Sequence, residues 1–115
     1  MPWTAVEHPD FVNERKSLPP AVADKLAEVV VALEKLGPQL GRPLVDTLSS
    51  SKHRNMKEIR VSVDGAWRFA FAFDPRREAV ILVGGNKEGV SMKRFYRNLI
   101  RMADERFDDW LNAEE

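Results

Sequence analysis

Basic side chains crowd the middle of this 115-residue chain. Arg60 and Arg68 stand on either side of a hairpin signal and Lys87 follows a strand signal. Lys52, His53, Arg54 and Lys57 lead into the same region. Guanidinium forks match the geometry of a phosphate, and cations held close together repel until an anion arrives. The chemistry such a group can do is to grip a phosphodiester and stabilise the charge that develops when it breaks. One carboxylate, Glu58, lies among them. Pairing of Arg60 with Glu58 or Asp74 is the purely structural alternative.

The missing residue types narrow the chemistry further. There are no cysteines and two histidines, which excludes a thiol nucleophile and argues against a transition-metal site. Acidic residues in the central region are dispersed, unlike the paired carboxylates of a two-metal nuclease. Residues 37–43 lack a phosphate-loop lysine, and Gly84-Gly85-Asn86-Lys87-Glu88-Gly89 fits no dinucleotide fingerprint. What remains is metal-free cleavage of RNA, in which the substrate's own 2′-OH attacks and no cofactor is needed. A His, Lys or Glu then takes a proton and a Tyr, His or Lys returns one. His53, flanked by Lys52 and Arg54, is the candidate acceptor, and Tyr96, the only tyrosine, the candidate donor. His8 has no such setting and reads as structural.

Composition sets the frame for these residues. The chain is 43% hydrophobic and 31% charged, with zero formal net charge, as expected of one soluble domain spanning 1–115. The charge is unevenly spread. Residues 42–101 carry thirteen Lys and Arg against six Asp and Glu, whereas residues 102–115 carry one against six. A basic body between acidic ends hints at a polyanion partner. The sequence has no apolar run of about 18 residues and no basic, apolar leader at its start, so a cytoplasmic protein with no membrane partner is expected.

The elements that must position the cations can be read from period. Trp3 to Glu7 alternates weakly as a first strand, and a short helix follows Pro9. Val22, Leu26, Val29, Val30, Leu33 and Leu36 recur at helical spacing, and Gly37-Pro38 stops them, which predicts a helix over 19–36. Residues 38–55 show no sustained period, a length that suggests a functional or mobile loop. The period then becomes two. Ile59, Val61 and Val63 share one strand face, and Trp67, Phe69, Phe71 and Phe73 share one face of the next, a stripe that reads as core rather than a base-stacking platform. Ala79 to Val83 is a continuously apolar third strand. Ser91 caps a last helix with Phe95, Leu99, Met102, Ala103, Phe107 and Trp110 on its apolar stripe. The expected architecture is α+β, with N-terminal helices and a C-terminal helix on one face of a small antiparallel sheet.

Register follows from keeping the faces apart. A three-residue loop, Asp64-Gly65-Ala66, pairs Val63 with Trp67, Val61 with Phe69, Ile59 with Phe71, Ser62 with Arg68 and Arg60 with Ala70. A five-residue turn after Phe73 pairs Phe71 with Ile81 and Arg68 with Gly84. Arg60 and Arg68 then emerge on one face, with Lys87 beside Arg68.

These residues resemble the RelE/ParE toxin superfamily, most closely its HigB-like, phage Gp49-related branch. The resemblance rests on Met56-Lys57-Glu58-Ile59-Arg60, on Trp67-Arg68-Phe69-Ala70-Phe71-Ala72-Phe73-Asp74-Pro75, on Leu82-Val83-Gly84-Gly85-Asn86-Lys87, and on Phe95-Tyr96 with the final helix. Gly41 to Leu48 and Ser51-Lys52-His53 add to it, and it covers roughly residues 3–111. It implies the RelE-like α+β fold and the toxin of a type II toxin–antitoxin pair. Such toxins are generally metal-independent endoribonucleases that cut mRNA on the ribosome. They are silenced by a cognate protein antitoxin, often a helix-turn-helix type, through which alone they meet operator DNA. By the resemblance, Arg68 matches the arginine of the hairpin's second strand and Lys87 the basic residue after the last strand. Tyr96 resembles the tyrosine of the last helix, and Lys57 lies beside a lysine position. Glu58 departs from the pattern, standing where RelE-type enzymes place a second lysine, which makes His53 the more attractive base. The expectation is therefore that Arg60, Arg68 and Lys87 hold the scissile phosphate, that Lys52 and Arg54 add to RNA binding, and that Lys57, His53 and Tyr96 position and move protons. The rivals are a ParE-like, non-catalytic inhibitor of DNA gyrase and a degenerate toxin that only binds its antitoxin.

Overall fold

In the computed structural model, which describes residues 2–113, the aromatic-rich segment becomes strand β4 (Trp67–Phe73), with a neighbour on each side. In chain order the elements are β1 (Thr4–Glu7), α1 (Pro9–Arg15), α2 (Pro20–Leu36), β2 (Val45–Thr47), β3 (Met56–Val61), β4, β5 (Glu78–Asn86) and α3 (Met92–Ala113). A 3-10 turn, Gly37–Gln39, ends α2. The sheet order is β1-β5-β4-β3-β2, with β1 parallel to β5 and the other pairs antiparallel. His8 caps α1, its Nδ1 accepting from the Asp10 amide at 3.1 Å, so its role is structural as the sequence suggests.

The sheet is covered on both faces, not on one as expected. Phe69, Phe71 and Phe73 join Ile59 and Val61 under α1 and α2, with Val22, Leu26, Val29 and Leu33 of α2 opposite. Met56, Ala70, Ala72, Val80 and Leu82 face the other way, under Leu99, Ala103 and Phe107 of α3. Small residues alternate with the aromatic ones along β4, so each helix layer finds a different surface on the same strand. Burial of these side chains, at roughly 1.5–3 kcal/mol each, outweighs what local propensity contributes.

The hairpin register differs from the expected one by two residues. Val61 pairs with Trp67, Ile59 with Phe69, and Arg60 lies directly opposite Arg68. The faces are unchanged because the shift is even, but the loop is five residues, 62–66, not three. Asn86 is the cause. Its Oδ1 accepts from the Ala66 amide at 3.0 Å, and Lys87 N donates to Ala66 O at 2.9 Å, drawing the loop onto the end of β5. Gly65, at φ 127°, lies so close to the Asn86 amide that a Cβ there would sit 2.7 Å from it.

A second irregularity matters more for the chemistry. Phe71 pairs with Ile81 as expected, yet Ala70 pairs with Val83, leaving Leu82 as an extra residue in β5. This bulge moves the partner of Arg68 from Gly84 to Gly85. It also reverses the alternation beyond it. Leu82 and Val83 both face α3, and Gly84 turns under Phe69, where a Cβ would come within 2.3 Å of the ring.

The turn after β4 is anchored by Asp74, which is 5% exposed. Its Oδ1 accepts from the Arg76 and Glu78 amides at 2.9 Å each, and its Oδ2 from Trp110 Nε1 of α3 at 3.0 Å. Burial alone would raise its pKa; the bonds from Trp110, Glu78 and Arg76 outweigh this and hold it below the ordinary carboxylate value. A carboxylate depressed in the folded state stabilises above its unfolded pKa and loses that contribution as pH falls through the folded value. Asp74→Asn is expected to cost about 1–2 kcal/mol at neutral pH, with the difference from wild type shrinking below about pH 4. Urea titrations at pH 7 and pH 3 check this; a difference that stayed constant with pH would refute it.

Candidate active site

Along β3 the α3-facing side chains run Met56, Glu58, Arg60, grading from full burial to the rim as the strand leaves the cover of α3. Across the sheet, Glu58 sits between Asp46 on β2 and Ala70 on β4, and Arg60 opposite Arg68. Two guanidinium groups directly opposite one another repel. Glu58 offsets this. Its carboxylate is 2% exposed and accepts from Arg60 Nε at 3.2 Å and from Tyr96 Oη at 2.8 Å. Arg68 Nε approaches it to 3.8 Å, an ion pair but not a hydrogen bond. Arg60 Nη2 also donates to Asp46 Oδ2 at 3.2 Å.

Tyr96 comes from the first turns of α3, which Ser91 caps, its Oγ accepting from the Arg94 amide at 3.4 Å. Burial, then the bond to the Glu58 carboxylate, pushes the phenol above its ordinary value, so it holds its proton at neutral pH. Lys87 reaches the same place because of the β5 bulge. Without the extra residue it would alternate to the α2 side of the sheet. With it, Lys87 lines a cleft of about 290 Å³ together with Glu58, Arg60, Tyr96, Thr47 and Ser50. Asp46, Glu58, Arg60 and Arg68 compensate one another in charge. No carboxylate among the described residues pairs with Lys87, so it is the surplus cation of the cleft.

Four of the expected site residues therefore come together: Arg60, Arg68, Lys87 and Tyr96. The structure places the others elsewhere. His53 Nε2 is bonded to Asp108 of α3 at 2.9 Å, and its ring packs on Phe107 with centroids 4.8 Å apart. Lys52 Nζ is bonded to the same Asp108, and Ser51 Oγ donates to Asp104 at 2.5 Å. This loop is pinned to α3, and the residues it carries fasten the helix rather than enter the cleft, although Lys52 borders an apolar groove beside Tyr96. Arg54 is exposed and lines neither. Lys57 belongs by alternation to the opposite face, with Ile59, and its Nζ donates to Thr47 Oγ1 at 3.2 Å. Glu58 is the residue whose importance the sequence understates; its even spacing from Met56 and Arg60 was the available signal. Among the described residues no group of three His, Asp or Glu is placed to hold a metal ion, and no helix is long and apolar enough to cross a membrane.

Comparison with known proteins identifies the family. The family model described as phage derived protein Gp49-like matches residues 13–108. The proposed toxin HigB3 of Mycobacterium tuberculosis (strain ATCC 25618 / H37Rv) is 46% identical over 94 residues, covering 79% of this chain and 81% of that protein. The proposed toxin HigB2 of the same organism is 46% identical over 84 residues, 71% of this chain and 41% of that longer protein. Among solved structures, the E. coli toxin RelE carrying two arginine-to-alanine changes, in the free state, superposes with a TM-score of 0.65 at 12% identity, covering 88% of this chain and 96% of that one. At that identity the likeness is one of fold.

Glu58→Ala leaves two guanidinium groups without their shared carboxylate and is expected to destabilise the domain by about 3 kcal/mol, the low end for a broken buried pair because Arg60 is partly exposed. Glu58→Gln, which still accepts from Tyr96 and Arg60, is expected to cost less than half of that. Chemical denaturation of the two variants checks the order; equal losses would mean that the charge, not the hydrogen bonds, holds the cluster.

Proposed function

The chain belongs to the phage-derived Gp49-like family of HigB-type, RelE-fold toxins, and on that premise we propose that it is an endoribonuclease that cuts messenger RNA on the ribosome and is silenced by a cognate antitoxin. The observation that carries this reading is the cleft in which Lys87, Arg60, Tyr96 and Glu58 face one another toward the loop end of the hairpin. A cation-rich cleft beside a buried acceptor and a phenolic donor suits phosphodiester chemistry better than docking to a protein.

The reaction needs no group from outside the chain and its substrate. The 2′-oxygen attacks the adjacent phosphorus, giving a 2′,3′-cyclic phosphate and freeing the 5′-oxygen. Glu58 takes the proton from the 2′-OH, and Tyr96, which keeps its proton at neutral pH, gives one to the departing 5′-oxygen. Lys87 and Arg60 neutralise the charge that builds on the non-bridging oxygens, and Arg68 backs the Glu58 carboxylate from behind at 3.8 Å. After the step Glu58 carries a proton and Tyr96 lacks one. The 2.8 Å bond between them returns it and restores the starting state. His53 and Lys57 have no part in this scheme.

Expression in cells followed by mapping of RNA ends tests the reading. Lys87→Ala and Arg68→Ala are expected to slow cleavage by about 10²–10³-fold, and Tyr96→Phe by about 10²-fold, while antitoxin binding persists. His53→Gln is expected to cut near the wild-type rate. Growth arrest with intact transcripts would sink the proposal, and trapped gyrase complexes would replace it with the ParE-like one.

A further inference from the structure

A second cleft, of about 410 Å³, opens at the hairpin end of the sheet, and Arg60 lines both it and the first. Its volume is in the range of small-molecule sites, roughly 300–1,000 Å³. Three cations converge on it: Arg60 and Arg68 from the sheet, and Lys25 from α2. Its remaining wall is mixed, with Leu44 and Val63 from the rim of the α2-side core and the exposed Ser62. Arg68 is only 9% exposed, and its Nε has no hydrogen-bond acceptor among the described residues. That nitrogen faces the Glu58 carboxylate at 3.8 Å without a hydrogen bond, so Arg68 keeps unfilled bonding capacity that an arriving anion can take up. Lys25 is loosely held. Its Nζ is 3.7 Å from Glu28, both side chains are well exposed, and such a pair is worth little.

We propose that this second cleft seats the nucleotide next to the scissile bond, its phosphate between Lys25 and Arg68 and its base against Leu44 and Val63. The inference rests on the endoribonuclease reading and names a subsite for the same substrate. Because Arg60 borders both clefts, a strand whose scissile phosphate lies at Lys87 passes Arg60 and enters the second cleft within one residue. The apolar wall gives that base a shape to fit, so Lys25 anchors the strand and Leu44 selects among bases.

Lys35 makes an internal control. It is exposed on the same helix, ten residues and about 15 Å along, and lines neither cleft. RNA ends are mapped in cells expressing wild type, Lys25→Ala, Lys25→Arg, Lys35→Ala and Leu44→Asn, with antitoxin binding as the report of folding. Lys25→Ala is expected to lower cut frequency about tenfold and to relax the base preference next to the cut. Lys25→Arg is expected to restore both. Lys35→Ala is expected to change neither, and Leu44→Asn to alter preference more than frequency. Wild-type cutting that Lys25→Ala leaves unchanged would overturn the subsite alone. Reduced cutting with unchanged preference would put Lys25 on another RNA, such as that of the ribosome, and would also overturn it. If wild type makes no cuts, the nuclease reading falls and takes this one with it.

Discussion

A single buried carboxylate makes the cleft possible. Glu58 lies under two arginines that the strand register sets face to face, and its charge offsets their repulsion. The carboxylate bears on three groups at once: the Arg60 fork, the Arg68 side chain and the Tyr96 hydroxyl. A buried anion is expensive to desolvate and is tolerated only when surrounded this way. The same bonds fix the geometry of a hydroxyl donor, a carboxylate acceptor and two cations beside one cleft. Asp46, by taking the far side of Arg60, shares the load.

The position of Lys87 shows how a backbone irregularity makes a site. Strict alternation from Ile81 would point Lys87 toward α2, into the side of the sheet already filled by the aromatic core. The extra residue at Leu82 turns it over. Gly84 is then forced beneath Phe69, and no larger residue fits there. The bulge also explains how much of the design could be read in advance. The α+β class, the strand faces and the long helices follow from periods of two and 3.6, and all are visible in the chain. The convergence of Arg60, Arg68, Lys87 and Tyr96 was legible as a cluster of types. What alternation cannot reveal is where an extra residue is absorbed, or that Asn86 gathers the hairpin loop and shifts the pairing by two.

The surroundings of His53 were hidden from the sequence for a related reason. Its neighbours in sequence are Lys52 and Arg54, which suggest a cationic site. Its neighbours in space are Asp108 and Phe107, Asp108 being 55 residues further along the chain on the last helix but in direct contact once the sheet is covered on that face. Charge runs on a loop reveal nothing of the element that will lie against them. The one-face expectation for the helices hid this contact, because a helix on the α2 side could never have met residues 51–53.

A protein with as many acids as bases has no general attraction for a polyanion. In this chain the charge is unevenly distributed. The acidic C-terminal half of α3 is engaged: Asp104 with Ser51, Asp108 with Lys52 and His53, Glu105 with Arg101. Hydrogen bonds from Lys52 and His53 hold the Asp108 carboxyl below its ordinary value, so Asp108 stays ionised and paired at neutral pH. Its charges serve to bind the loop to the helix. Around the cleft, the carboxylates balance the arginines and leave Lys87 over. The cleft thus presents one cation without a carboxylate partner among the described residues, backed by arginines whose forks are already oriented, and screening by salt acts least where the groups are most buried. The local field, not the sum over the chain, decides which molecule this surface can hold.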